Sequence, residues 1–503
     1  MDMNIRIPLA LLSAGLLAGG CSTIENNHRQ KIPLMTAWTA GDSVTAQQIL
    51  NDKLKEPAWY NCSRVGTGDE LVWRLEAGTL AFTFGKYAEA LDEFSASERL
   101  ISGYDERAIV SARDVGSEAG GALSNLNALP YRGWCRDRMG LEIYKSLAYL
   151  GQGREDSFRA QVKRLRDRQA EIQEDYAKYF EQEKAEVDKA KKENPGAAAK
   201  AESEGSEASL IAKNPNYAQS LAEMRAVAHK GYGNFFNPLA IYLSALGNIR
   251  DGNWDNAAID TKRLHEALPA NPFVGMFHAT TLRNAGREVP ASLASTPSFP
   301  YPMDRDCLYV IFANGQGAAL EQEAINSELI MVAWPKCAFF PASFANAQII
   351  AGGQTVTTAP LADMDAILAE EFDQRLPGII TRTIISTLIK EGAYRGGQVA
   401  AVAANNDWRV QAITFVAVTV VGTFYRYAMN TADTRSWETL PKEFQIAQIP
   451  MPADRKVHVN LTGTFGGPSF DVAIPSTCRS AVLYVSAPSP NNVRGVVLPF
   501  ESK

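Results

Sequence analysis

Apolar positions in the first half of the chain recur at helical spacing, in pairs of runs split by a glycine. Residues 71–100 read LVWRLEAGTLAFTFGKYAEALDEFSASERL. Leu71, Leu75 and Leu80 share a face before Gly85-Lys86, and Tyr87, Ala90, Leu91 and Phe94 share one after it, which predicts two amphipathic helices packed across a tight turn. Small residues fall where such helices must approach closely: Gly78 and Ala81 on the first, Ala90 on the second. The same offsets around Gly153 give Ser146, Glu155 and Phe158, and around Gly252 they give Ala245, Trp254 and Ala257. Gly41-Asp42 followed by Ala46, Ile49 and Leu50 reads as the second half of another such unit.

This is the pattern of a tetratricopeptide-type hairpin, a surface-building unit. Unequal spacing of Gly85, Gly153 and Gly252 predicts hairpins separated by insertions rather than a regular array. A non-repetitive domain of three helix-turn-helix pairs is the alternative and presents much the same surface. Between the hairpins, residues 116–129 read as a Gly/Ala/Ser/Asn-rich loop. Residues 159–193 form a charged helical pattern with a thin apolar stripe of Val162, Leu165, Ile172, Tyr176 and Phe180. That stripe suits a solvated helix connecting two hairpins, with a protruding arm as the alternative. Residues 194–209, NPGAAAKAESEGSEAS, lack apolar bulk and predict a flexible linker.

Near Pro290 the period changes. Residues 291–303 are Pro/Ser-rich and mark a boundary, after which β-branched and aromatic runs predict strands at 308–312, 329–334, 347–350, 354–358, 456–461, 469–474, 481–486 and 493–499. Gly352-Gly353 predicts a hairpin, and two helical patterns, 363–374 and 378–390, are separated at Pro377. Residues 410–421 are almost wholly apolar but too short and too polar to span a bilayer, so they read as a buried helix. The fold class expected is therefore α+β: a helical-hairpin domain over 36–290, preceded by a tether at 21–35, then a mixed α+β domain over 300–503.

The first twenty residues carry a short polar start with Arg6, an apolar stretch from Ile7 to Leu17, and small residues ending at Cys21. This reads as a secretory signal. Leu17-Ala18-Gly19-Gly20-Cys21 resembles a bacterial lipobox, with Ala18 where such sequences usually carry Leu; the resemblance implies lipid on Cys21, and Ser22 after it implies the outer membrane. A soluble exported protein is the alternative. Five cysteines remain: Cys62, Cys135, Cys307, Cys337 and Cys478. In an oxidising compartment, pairing within each half favours Cys62 with Cys135 and one bond among the other three. No two cysteines have Cys-x-x-Cys spacing, so none suggests a metal site. A net charge of -6 gives no reason to expect nucleic acid as a partner.

Candidate chemistry is sparse. Gly315-x-Gly317 follows an apolar run, but Leu320 occupies the third position of a dinucleotide fingerprint, so a glycine turn leading into a helix is expected instead. His28, His229, His265, His278 and His458 form no HExxH pair, and no GxSxG elbow occurs. No cofactor and no metal are expected. The strongest local signature is DTRSWETLP at residues 433–441: Asp433 and Arg435 at pairing distance in sequence, Trp437 and Leu440 positioned to pack beneath them, and Pro441 opening a strand-like FQIAQIPMP tail. That motif, with NPLAIYLSAL (237–246), LEAGTLAFTFGKYAEALDEF (75–94) and YVIFANGQGA (309–318), resembles a family of uncharacterised bacterial envelope lipoproteins. The family has a tetratricopeptide-like N-terminal half and no assigned reaction or ligand. Departures are the polar insertion at 194–209 and Phe158 where a small residue is usual, which puts tight packing of that hairpin in question. The resemblance itself implies little about activity; the helical repeats and the lipobox-like start together predict a lipid-anchored periplasmic scaffold that binds envelope proteins on a concave helical face, in cell-wall or outer-membrane assembly. A peptidoglycan- or carbohydrate-binding lipoprotein and an enzyme of unknown type are the alternatives.

Overall fold

A computed structural model describes residues 26–58, 61–113, 130–326, 331–403, 431–463 and 466–502. Helices fill the first part of the chain: α1 Asn27–Ala40, α2 Ser43–Leu54, α3 Glu70–Thr83, α4 Tyr87–Arg113, α5 Cys135–Gly151, α6 Glu155–Glu193, α7 Pro195–Glu204, α8 Glu207–Lys213, α9 Pro215–Ala228, α10 Pro238–Arg250, α11 Trp254–Ala267 and α12 Pro272–Asn284. Four of the helix pairs turn on a glycine. Gly41, Gly85, Gly153 and Gly252 have φ of 76°, 74°, 71° and 71°, a left-handed conformation that costs glycine little and other residues more. Close approach in the α3/α4 hairpin depends on Gly78, because a Cβ there would lie 2.3 Å from Cε1 of Phe94.

Strands begin at Cys307. They are β1 Cys307–Gln316, β2 Ala319–Asn326, β3 Met331–Ala338, β4 Asn346–Ala351, β5 Gln354–Thr357, β6 Ala359–Asp363, β7 Pro441–Pro450, β8 Lys456–Thr462, β9 Ser469–Ala473, β10 Cys478–Ser489 and β11 Asn492–Ser502, with helix α13, Met364–Ala403, between β6 and β7. The fold is thus α+β. Five strands form a sheet in the order β11-β10-β1-β7-β6, with β1 and β10 parallel and the other neighbours antiparallel; a second sheet runs β5-β4-β8-β9. Alternation along β1 separates two cores: Tyr309, Ile311 and Ala313 join the helices, while Leu308, Val310 and Phe312 face the second sheet. The result is three layers, helices on sheet on sheet. The larger core is continuous from Leu34 in α1 to Phe500 in β11.

Several expectations are corrected. The tether does not extend to residue 35: α1 starts at Asn27, where the Asn26 side chain accepts from Arg29 N, and it buries Lys31, Leu34 and Trp38. Residues 195–213 are not a flexible linker but helices α7 and α8. Ala198, Ala201 and Leu210 are buried there, and a Cβ at Gly205 would lie 2.7 Å from Ile384 of α13, so small residues allow close docking on that helix. Gly315-Gln316-Gly317 leads into strand β2, not a helix, since Gly317 N donates to Leu440 O at 2.8 Å. Pro377 lies inside α13, which runs through it. The expected pairing of Cys62 with Cys135, and a bond among the other three, do not form: Cys135, Cys307, Cys337 and Cys478 are free and buried. Cys135 opens α5 against α13; Cys307 faces the helical core while Cys478 faces the second sheet. Residues 116–129 and 410–421 lie outside the described residues. The α6 stripe is packed, not solvated, with Val162, Leu165, Ile172 and Tyr176 buried. Phe158 is buried against the Phe500 ring at 5.1 Å, which explains how a large residue fits that hairpin.

Candidate functional site

Residues 431–440 form neither helix nor paired strand and pack against the helical half before entering β7. Asp433 and Arg435 form a bidentate pair, Nε to Oδ1 at 2.8 Å and Nη2 to Oδ2 at 2.7 Å. Arg435 Nη1 also reaches Asp69 at 3.4 Å. Burial alone would lower the guanidinium and raise the carboxyl, but the pairing wins on both sides, holding Arg435 above and Asp433 below their ordinary values. Trp437 is fully buried. Its indole donates to Thr79 Oγ1 at 2.9 Å and Thr439 Oγ1 at 3.0 Å, and its ring packs against Tyr144 and Phe94 with centroids 5.7 and 6.1 Å away.

The helices hold this segment mainly by its backbone. Glu76 of α3 accepts from Glu438 N and Thr439 N, each at 2.9 Å, one on each carboxylate oxygen. Trp134 Nε1 donates to Arg435 O at 3.0 Å, Arg136 Nη2 to Trp437 O at 3.0 Å, and Lys31 Nζ to Ser436 O. Asp137 accepts from Trp437 N at 3.4 Å and from the Tyr131 hydroxyl. Lys31 is wholly buried between Glu76 at 2.9 Å and Glu438 at 3.3 Å; desolvation lowers its ammonium, yet the two carboxylates hold it above the usual lysine value. Contacts therefore come from α1, α3 and the start of α5, the inward side of the hairpins.

Beside Arg435 lies a cavity of about 90 Å³ between α5, α6 and α13. Arg375 of α13 bridges Glu183 at 2.9 Å and Glu371 at 3.3 Å, with its guanidinium 4.5 Å from the Trp134 ring centroid and 5.0 Å from that of Tyr179. Arg132 sits 4.4 Å from the Tyr179 ring and, with Arg138, shares Asp105. Glu371 accepts from Cys135 N at 2.7 Å. Burial raises the Glu371 carboxyl despite Arg375, and burial followed by Glu371 pushes the Cys135 thiol well up, so this cysteine is not an activated nucleophile. Among the described residues no group of three metal-ligating side chains occurs.

The remaining predicted residues serve hairpin packing. Gly78, Ala90, Phe94 and Ala257 are buried, while Tyr87 and Trp254 are partly buried against the same core. Pro441 opens β7 opposite Gln316. Cys21 lies outside the described residues. Sequence reading passed over Lys31, Glu76, Arg136, Asp137 and Arg375, all central to the junction. The available signal was a charge interrupting an apolar helical face, as Glu76 does in LEAGTLAF. Compared with family models, with curated proteins and with solved structures, the chain matches none.

Proposed function

We propose that this chain is a lipid-anchored adaptor on the periplasmic side of the cell envelope, a rigid platform rather than a catalyst, with the anchor on Cys21. What supports the reading is the way the helical half holds residues 433–441: Glu76, Trp134, Arg136 and Lys31 engage backbone groups, which is how a peptide is recognised rather than transformed. The inward side of the hairpins is taken by the chain itself. Partner proteins are assigned to the outward side, where a polar groove of about 560 Å³ opens between α4, α5 and α6. Glu98, Lys145, Gln161, Arg164, Arg168 and Glu171 line it, and mixed charge of this kind suits a protein surface.

Photo-crosslinkers placed in cells at Arg164 and Glu171 test the assignment. Envelope proteins captured at both positions, and not from a site on the outer sheet such as Thr355, are the expected result; capture from Thr355 alone would overturn it. Replacing Cys21 by Ala is expected to release the protein from membranes, as two acyl chains anchor stably where a soluble domain does not. Tight membrane association of that variant would refute the anchor.

A further inference from the structure

Two buried donors in the cavity beside Arg435 have no partner among the described residues. Tyr176 is only 9% exposed, its ring is held by Phe180 and Phe235, and its hydroxyl meets no acceptor. Arg132 spends one guanidinium nitrogen on Asp105 at 2.8 Å, while its Nε is buried and unpaired. Both residues line the same opening. Buried donors are almost always satisfied, so two lining one cavity mark a place for an acceptor group.

The rest of the lining narrows the ligand. Arg138 is matched by Asp105, Arg375 by Glu183 and Glu371, and Arg435 by Asp433, so the walls are balanced in charge and offer no surplus cation for a lone anion. Asp175, half-buried on the same lining, adds a carboxylate one residue before Tyr176. A molecule carrying an acceptor at one end and a cation at the other fits this distribution. Sugars fit it less well, because the Trp134 and Tyr179 rings are already engaged by Arg375 and Arg132 and leave no open aromatic platform. A cavity of about 90 Å³ holds a molecule of roughly six to nine non-hydrogen atoms, at 10–15 Å³ for each water-sized group.

We propose that this cavity binds a free α-amino acid, its carboxylate received by Tyr176 Oη and Arg132 Nε and its ammonium by Asp175. The site is separate from the outward groove assigned to partner proteins, so either can fail alone. Calorimetric titration of the detergent-solubilised full chain with alanine, acetate, ethylamine and glucosamine tests it. Alanine is expected to bind at least tenfold more tightly than each of the other three. Tyr176→Phe should weaken alanine binding about tenfold, the scale of one hydrogen bond to a charged group. Asp175→Asn should bring the preference for alanine over acetate close to one. Tyr176→Phe removes a buried hydroxyl that has no partner, so its thermal midpoint should match or exceed the wild type, which separates lost binding from lost folding. No heat of binding with alanine at tens of millimolar, acetate or glucosamine binding as tightly as alanine, or unchanged affinity in Tyr176→Phe would each overturn the proposal.

Discussion

Glu76→Ala should be among the most destabilising single changes in the molecule. The Glu76 carboxylate is fully buried and accepts three donors, Lys31 Nζ, Glu438 N and Thr439 N, each at 2.9 Å. Removing it leaves two backbone N–H groups without acceptors, at about 1–3 kcal/mol each. Lys31 keeps Glu438 at 3.3 Å and the Ser436 carbonyl, so its charge is not orphaned and adds less. A loss of about 4 kcal/mol follows, a large part of the 5–15 kcal/mol that usually separates folded from unfolded states. Glu76→Gln should cost roughly half as much: its carbonyl still serves one N–H, while its amide faces the other. The assay is urea unfolding followed both by far-ultraviolet circular dichroism, which reports the helices, and by tryptophan fluorescence. Because one core links Leu34 to Phe500, both probes should move to lower urea together. A loss under about 1 kcal/mol for the alanine variant, or a glutamine variant worse than alanine, would refute this reasoning.

Four further outcomes are expected. Gly78→Ala puts a Cβ 2.3 Å from Phe94 and should cost about 1–3 kcal/mol of overpacking; combining it with Phe94→Leu should recover part of that in a double-mutant cycle, and strict additivity would exclude the clash. Burial, then the neighbouring His265, lowers His278 to about 4, so the folded protein takes up its proton later than the unfolded chain does. The stability contributed by neutral His278 is present above pH of about 6.5 and lost as pH falls towards 4; His278→Gln should flatten that part of the profile relative to wild type in urea melts. Burial pushes Cys307 to about 12 and raises Cys135 and Cys337 further from the thiolate form, so all three should resist iodoacetamide at pH 8 until urea is added, as mass spectrometry would report. Residues 26–290 expressed alone should be poorly soluble, whereas co-expression with residues 291–503 should restore folding; a stable, soluble first fragment would contradict a shared core.

The hairpins were legible because each carries a 3.6-residue apolar stripe and a left-handed glycine, as in Leu71–Leu80, Gly85 and Tyr87–Phe94. Strands β8, β9, β10 and β11 were legible for the matching reason: β-branched runs punctuated by turn residues. Helices α7 and α8 escaped notice because their buried residues are mainly alanines, whose small size lets α13 approach but gives no hydrophobic contrast in the sequence. Gly315 and Gly317 were read as a turn into a helix because their reason for being glycine is remote. A Cβ at Gly317 would lie 2.7 Å from the Leu440 carbonyl oxygen, a neighbour more than a hundred residues away that no local pattern reveals.

The same distance problem hid the role of DTRSWETLP. Asp433 with Arg435 could be read locally, but the partners of Glu438 and Thr439 lie on α1 and α3, some 360–410 residues earlier. Position in the sheet then fixes what the segment does. It feeds directly into β7, which is paired on one side with β1 and on the other with β6, and its Leu440 carbonyl is already tied to Gly317. Withdrawing the segment would strand Glu76, Asp137 and Lys31 in the helical half and pull at an inner strand of the sheet, so the cost falls on both halves at once. A contact built this way joins two folding units into one. The inward side of the hairpins is therefore a structural seam, which is why the sites proposed for binding are the outward groove and the cavity that opens beside Arg435.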